Sequence, residues 1–352
     1  MFPRACKLHI VDFGCQNPGP KSVRAVEGFL GFYNLYGWCI DNLDLYITHF
    51  HYDHVSLLPF IMRMPNISRK LGKVYIPGIP LEPRELHDAI LYFIALADIV
   101  LERIRKDELL TKLAEIFGGK KLVPLYRGDW VSIDNNTGVR VVWPPRNVKK
   151  YVDPKVMERI ISKLKKEFRR LTEELKKAGF KIEEGEIKEL VEDYSKIVEF
   201  GNEGISNECI KSFLPLDTAH ILREIGKKER SLISQIYDAL NDFSLILEYH
   251  FNNHPFIVIP GDNSDEILDT VKYIEKRSPF KRKISFLRGA HHGTHYGGYL
   301  SLFRAKVTWL SNAKGDYRNE YWENPIVLTA RFCREVELQV LTPKHISLQI
   351  RI

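Results

Sequence analysis

Three stretches of the chain concentrate side chains able to hold a metal ion. The first, Thr48-His49-Phe50-His51-Tyr52-Asp53-His54, places three imidazoles and a carboxylate in one short run, although His makes up only 12 of 352 residues. Imidazole nitrogen and carboxylate oxygen suit Zn, Mn or Fe. These neighbouring residues cannot all close on one ion, and their spacing suits two. His49 and His51 point the same way on an extended loop and grip one ion, while Asp53 and His54 grip a second. The next stretch, Ile257-Val258-Ile259-Pro260-Gly261-Asp262, ends in a carboxylate. Taken alone, Asp262 reads more readily as a turn residue or helix N-cap, but a dinuclear site needs a bridging carboxylate and Asp262 offers one. The last stretch is Gly289-Ala290-His291-His292-Gly293-Thr294-His295-Tyr296-Gly297-Gly298. Its glycines let the backbone approach a metal or phosphate closely. The sequence does not decide between His291 and His292 as the ligand. His291 is assigned to the metal and His292 to proton transfer.

Two such ions would bring the pKa of water near neutral and polarise an electrophile, which is the chemistry of hydrolysis at phosphorus or at a carbonyl. Asp53 or Asp12 would orient the water or tune a ligand. His292 or His295 would protonate the leaving oxygen. His295, Thr294 and Asn312 are the candidate substrate contacts.

Each stretch must be held by the element before it. Leu8 to Asp12 alternates as a strand, and residues 22–36 read as a helix with Ser22 as N-cap. Leu43 to Thr48 reads as a buried strand that delivers His49 onto its end loop, with a helix over Val55 to Met64 and a strand at Lys73 to Ile76. Trp130–Ile133 and Val139–Trp143 flank a turn at Asp134–Gly138, a hairpin signal. Ser244–Tyr249 and Pro255–Ile259 flank a second turn, and the later strand ends Asp262 onto a helix over 264–276. Further strands are expected at Lys283–Leu287, Val307–Leu310, Leu338–Val340 and Ile346–Ile350, with a helix over Asn324–Arg334. Residues 83–117 and 153–240 read as helical insertions. Within the second, 153–200 carries one apolar stripe per helix among Lys, Arg and Glu. This hairpin is expected to pack on itself or on the body, or alternatively to cover a substrate or meet a second copy.

Composition, with 44% hydrophobic and 28% charged residues, excludes whole-chain disorder. The longest apolar run, Ala89 to Ala97, is too short for a bilayer span, which needs about 20 residues. Met1 to Lys7 carries no hydrophobic signal region. A cytoplasmic protein with no membrane partner is expected. Five scattered cysteines argue against a disulfide framework. The net charge of +7 tolerates polyanions but suits a plain lysine-rich surface as well.

Together these residues resemble the metallo-β-lactamase superfamily, whose signature is H-x-H-x-D-H after a buried strand. Val11-Asp12-Phe13-Gly14 is similar to the strand-end Asp near the start of those domains, and Pro260-Gly261-Asp262 to their later metal-bridging motif. The resemblance is nearer to the hydrolase domain of the DNA-uptake channel protein ComEC and its soluble relatives. It runs through the hairpin from Gly128 to Pro145, through Asn241-Asp242-Phe243-Ser244-Leu245, and through Gly289 to Thr294. The chain departs from those relatives at Cys15-Gln16-Asn17 and at Glu323-Asn324-Pro325, where their late His is missing. His220 is the only candidate for the extra His that many superfamily members carry between the two halves.

The resemblance implies a single α/β domain over 1–352, an αββα four-layer sandwich with helical insertions, binding two divalent ions, Zn or alternatively Mn or Fe. The expected function is a metal-dependent phosphodiesterase or nuclease, its partner a nucleic acid or a phosphorylated small molecule. Arg288, Lys314 and Arg318 lie near the site loops in sequence and favour a phosphate. The alternatives are a small-molecule hydrolase of a lactone, thioester or cyclic nucleotide, and a non-catalytic metal-bound scaffold. Oligomeric state is open.

Overall fold

The computed structural model describes residues 6–14, 20–58, 64–78, 122–146, 240–275, 281–311, 317–329, 338–342 and 347–349, and the positions 166, 170, 173 and 177. The chain divides into two compact units. One comprises Met1–Pro80, Val123–Glu158 and Leu240–Ile352, the other Leu81–Leu122 and Arg159–Ala239. The second unit gathers both segments expected as helical insertions. Its described positions Lys166, Arg170, Glu173 and Lys177 are helical and exposed, as the charged face of an amphipathic helix requires.

The first unit has mixed α/β character with two sheets. Its strands in chain order are β1 (Cys6–Val11), β2 (Ile40–Tyr46), β3 (Leu71–Pro77), β4 (Leu122–Leu125), β5 (Trp130–Ser132), β6 (Thr137–Trp143), β7 (Ile246–Phe251), β8 (His254–Ile259), β9 (Arg282–Arg288), β10 (Phe303–Leu310), β11 (Ile326–Thr329), β12 (Leu338–Thr342) and β13 (Ser347–Gln349). One sheet runs β13-β12-β1-β2-β3-β4 and the other β11-β10-β9-β8-β7-β6-β5. In the first, β1, β2 and β3 are parallel and β12 returns antiparallel beside β1. In the second, β5 to β8 form an antiparallel meander and β8 to β11 are parallel.

The two sheets share one apolar core. Val11, Tyr46 and Tyr75 of the first pack with Val139, Val141, Leu247, Ile257, Phe286 and Trp309 of the second. The turn between β7 and β8 places Asn252 and Asn253 at φ 49° and 64°, a conformation that Asn tolerates and two-residue hairpins demand.

Its helices include α1 (Pro20–Tyr36), α2 (Tyr52–Val55), α3 (Pro65–Ser68) and α4 (Asp265–Glu275). α1 opens on Pro20, whose missing N–H costs nothing in a first turn, so Ser22 lies inside the helix rather than at its cap. Of the helix expected over 55–64, Val55 closes α2, Ser56 and Leu57 form a turn, Leu58 is helical again and Met64 precedes α3; residues 59–63 lie outside the described residues. The helix expected over 324–334 is corrected in its first part: after a 3-10 turn at Asn319–Glu323, Ile326–Thr329 pairs in parallel with β10, and residues 330–334 lie outside the described residues. Cys39 is disulfide-bonded, a departure from the expectation for the cysteines. Among the described residues no helix is long and apolar enough to cross a membrane.

Candidate metal centre

The candidate residues stand at the carboxyl ends of parallel strands, where loops of an open α/β sheet converge. β1 leads to Asp12, β2 leads through Thr48 to His49 and α2, β8 leads to Asp262, and β9 leads through Arg288 to a 3-10 turn at His291–Gly293. The loops are laced together by their backbones. Phe13 N donates to His54 O at 2.7 Å, Leu245 N to Thr48 O at 2.9 Å and His291 N to Gly261 O at 3.1 Å. Gly14 has no room for a side chain, since a Cβ there would lie 2.4 Å from Asp53 O.

Asp262 Oδ2 is the focus of the site. It lies 3.4 Å from His54 Nε2, 3.4 Å from His292 Nε2, 3.8 Å from His49 Nε2 and 4.0 Å from His291 Nε2. His292 Nε2 is also 3.4 Å from Asp53 Oδ2. Among the described residues, two groups have donor atoms within 4.8 Å of one another: His49, His54 and Asp262, and Asp53, His54 and His292. They share His54 and form one contiguous pocket. His49, His54, Asp262 and His292 are all buried.

The three inner imidazoles each have Nδ1 engaged. His54 Nδ1 is 2.8 Å from Asp12 Oδ2. An ionised carboxylate only accepts, so Nδ1 carries the proton and Nε2 keeps its lone pair. Thr48 Oγ1 donates to Asp12 Oδ2 at 2.8 Å and lies 3.2 Å from His49 Nδ1, whose N–H it can then accept. His292 Nδ1 faces Ser311 Oγ at 3.3 Å. The Nε2 lone pairs of His54 and His49 thereby face one carboxylate oxygen.

Protonation favours ligation. Burial pushes His49 well below the usual imidazole range, and the neighbouring His54 and His51 rings push it further. Burial alone would raise the Asp262 carboxyl, but His292, His54 and His49 outweigh it and hold it well below the usual carboxylate range. Burial would likewise raise Asp53, and the His292 hydrogen bond with the His54, His292 and His51 rings lowers it instead. Neutral imidazoles and ionised carboxylates are the ligating forms. His49 Nε2 and Asp262 Oδ1 are buried with no hydrogen-bond partner, which an incoming cation would satisfy.

The sequence-based candidates fall into three classes. His49, Asp53, His54 and Asp262 meet in the pocket, with Asp12 behind His54. His292, expected to move protons, is a member of a metal-capable group, and His291 is not. His291 lies at the rim with 36% of its side chain exposed, stacked 4.8 Å from the His295 ring. His51 belongs to neither group, its ring lying edge-on to His49 at 4.3 Å. His295 Nδ1 is 3.4 Å from Asp265 Oδ1, and Thr294 Oγ1 donates to His291 O at 2.7 Å. Asn312, Lys314 and His220 lie outside the described residues.

Arg288 is buried and its Nη1 lies 2.8 Å from Asp12 Oδ2. Arg318 lies 3.3 Å from Glu320 and 3.7 Å from Asp265. Tyr321 escaped the sequence reading altogether. Its hydroxyl accepts from Ala290 N at 2.8 Å and donates to His295 O at 2.6 Å, strapping both ends of the histidine loop. Within that loop His291 and His292 adopt φ of 43° and 60°, a left-handed conformation costing about 1–3 kcal/mol at each non-Gly residue. No protein-family model and no curated protein matches this chain.

Proposed function

We propose that the chain is a metal-dependent hydrolase of the metallo-β-lactamase superfamily, with that superfamily's αββα four-layer sandwich, acting on phosphodiesters as a phosphodiesterase or nuclease. The observation that carries this reading is the convergence of His49, His54 and His292 on Asp262, with Asp53 beside His292, because three separate motifs supply them. These five residues would hold two divalent ions, Zn with Mn or Fe as alternatives. When bound there, the ions would supply Lewis acidity and a water acidic enough to act as nucleophile near neutral pH. Asp12, Thr48 and Ser311 fix the ring orientations of His54, His49 and His292. At the rim His295, beside Asp265, would give a proton to a leaving oxygen, with Thr294 and His291 in the same loop as the candidate substrate contacts.

A small-molecule hydrolase acting on a lactone, thioester or cyclic nucleotide is the second reading. It is favoured by the engagement of Arg288 with Asp12 and of Arg318 with acidic neighbours, which leaves these two cations less suited to a polyanion.

The test combines metal analysis with a fluorogenic phosphodiester, Zn and Mn supplied in turn. Two ions per chain are expected, and Asp262→Ala should lower kcat/KM by more than about 100-fold, beyond the loss typical of an outer partner. Bound metal without cleavage transfers the proposal to carbonyl substrates. Absence of bound metal sinks it.

A further inference from the structure

Asp12 is saturated from three directions. Thr48 N donates to its Oδ1 at 2.7 Å, and Thr48 Oγ1, His54 Nδ1 and Arg288 Nη1 each lie 2.8 Å from Oδ2. Thr48 and His54 come from the first sheet's loops, whereas Arg288 ends β9 in the second. Asp12, His54 and Arg288 are all buried. A guanidinium is always charged and cannot be left unpaired in such a place.

We propose that Arg288 is a positioning residue for the metal centre: by clamping Asp12 from the opposite sheet, it fixes the His54 imidazole with its proton on Nδ1 and its Nε2 lone pair toward Asp262. The inference rests on the reading of this pocket as a metal centre and adds a residue that acts on His54 through Asp12. With Arg288 in place, Asp12 cannot turn away from His54 without abandoning a charged partner. Without it, the carboxylate keeps only Thr48 and His54, both from its own sheet, and can follow Thr48. His54 can then carry its proton on Nε2, where it would oppose a cation. A plain tie between two sheets would do none of this. Removing such a tie would lower stability and leave the ring's tautomer alone.

Two readouts separate these roles in the full-length protein. One is the nitrogen-15 shift of His54 in the metal-free protein, and the other is Zn2+ affinity by competition with a chromogenic chelator. Wild type should show one His54 tautomer, protonated on Nδ1. Arg288→Met should show a tautomer mixture and bind Zn2+ about 10–100-fold more weakly, the loss typical of outer partners of metal ligands. Arg288→Lys, which keeps the charge, should recover most of both. An Arg288→Met protein with wild-type tautomer and affinity would overturn the proposal. So would a wild-type His54 protonated on Nε2, a result that stands even if the Met variant does not fold. Should wild type bind no Zn2+, the hydrolase reading falls, and the tautomer comparison alone decides the role of Arg288.

Discussion

His9 lies on β1 upstream of Asp12, its ring fully buried, stacked 5.3 Å from Tyr46 and edge-on to Tyr249 at 6.1 Å. Neither ring nitrogen has a hydrogen-bond partner. Burial lowers its pKa to about 4, against an upward pull from Asp44. An unfolded chain protonates the same ring near pH 6.5, so between those values the unfolded state binds more protons. Stability is therefore complete above about pH 6.5 and declines as the pH falls toward 4, by up to about 3 kcal/mol. Denaturant midpoints of metal-free protein at pH 5 and 7.5 should differ more for wild type than for His9→Phe; equal slopes would clear His9. At this scale the H-x-H-x-D-H run was legible because its members are neighbours in sequence. The exclusion of His51 from the donor groups was not, since it depends on ring orientation at the start of α2. A ligand-tuning role for Asp12 was legible too, but the hold of Arg288 on Asp12 was hidden, because the two meet only when both sheets are in place.

Among the elements, the loop after β1 is held hardest. Phe13 pairs with His54 and Leu57 through its backbone, and Gly14 sits against the Asp53 carbonyl. Gly14→Ala must push that backbone away, at a cost of about 1–3 kcal/mol for overpacking. It should weaken Zn2+ binding as well, because the displaced atoms belong to Asp53 and His54. A variant with normal Zn2+ affinity would show that the loop does not control the ligands. Strands that deliver the motifs were readable from alternation and punctuation, as in β1, β6, β8 and β9. The segment after Pro325 was not. Ile326-Val327-Leu328 is a short apolar run that periodicity cannot divide between helix and strand, and the edge of β10 decides in favour of pairing.

Across the first unit, a buried ionic network fastens α4 to the second sheet. Glu248 accepts from Tyr299 Oη at 2.5 Å and from His250 Nε2 at 2.8 Å, and lies 3.3 Å from Arg140 Nη1. Arg140 Nη2 reaches Glu275 at 2.8 Å, which Arg127 also meets at 2.9 Å. Arg140→Met leaves two carboxylates short of a counterion. Chemical denaturation should register a loss of about 3 kcal/mol, while metal stoichiometry stays at the wild-type value. A loss of metal with unchanged stability would contradict this division of labour. The pairing of β1 carries a consequence for how the molecule is made. β1 lies between β2 and β12, with Lys7 opposite Thr342. On a ribosome adding about 5–20 residues per second, β1 waits roughly 20–70 s for that neighbour. Throughout that interval one edge of a nascent parallel sheet is bare, a template for pairing with other chains. Slower translation should therefore lower the yield of folded protein, and a chaperone that shields this edge should restore it.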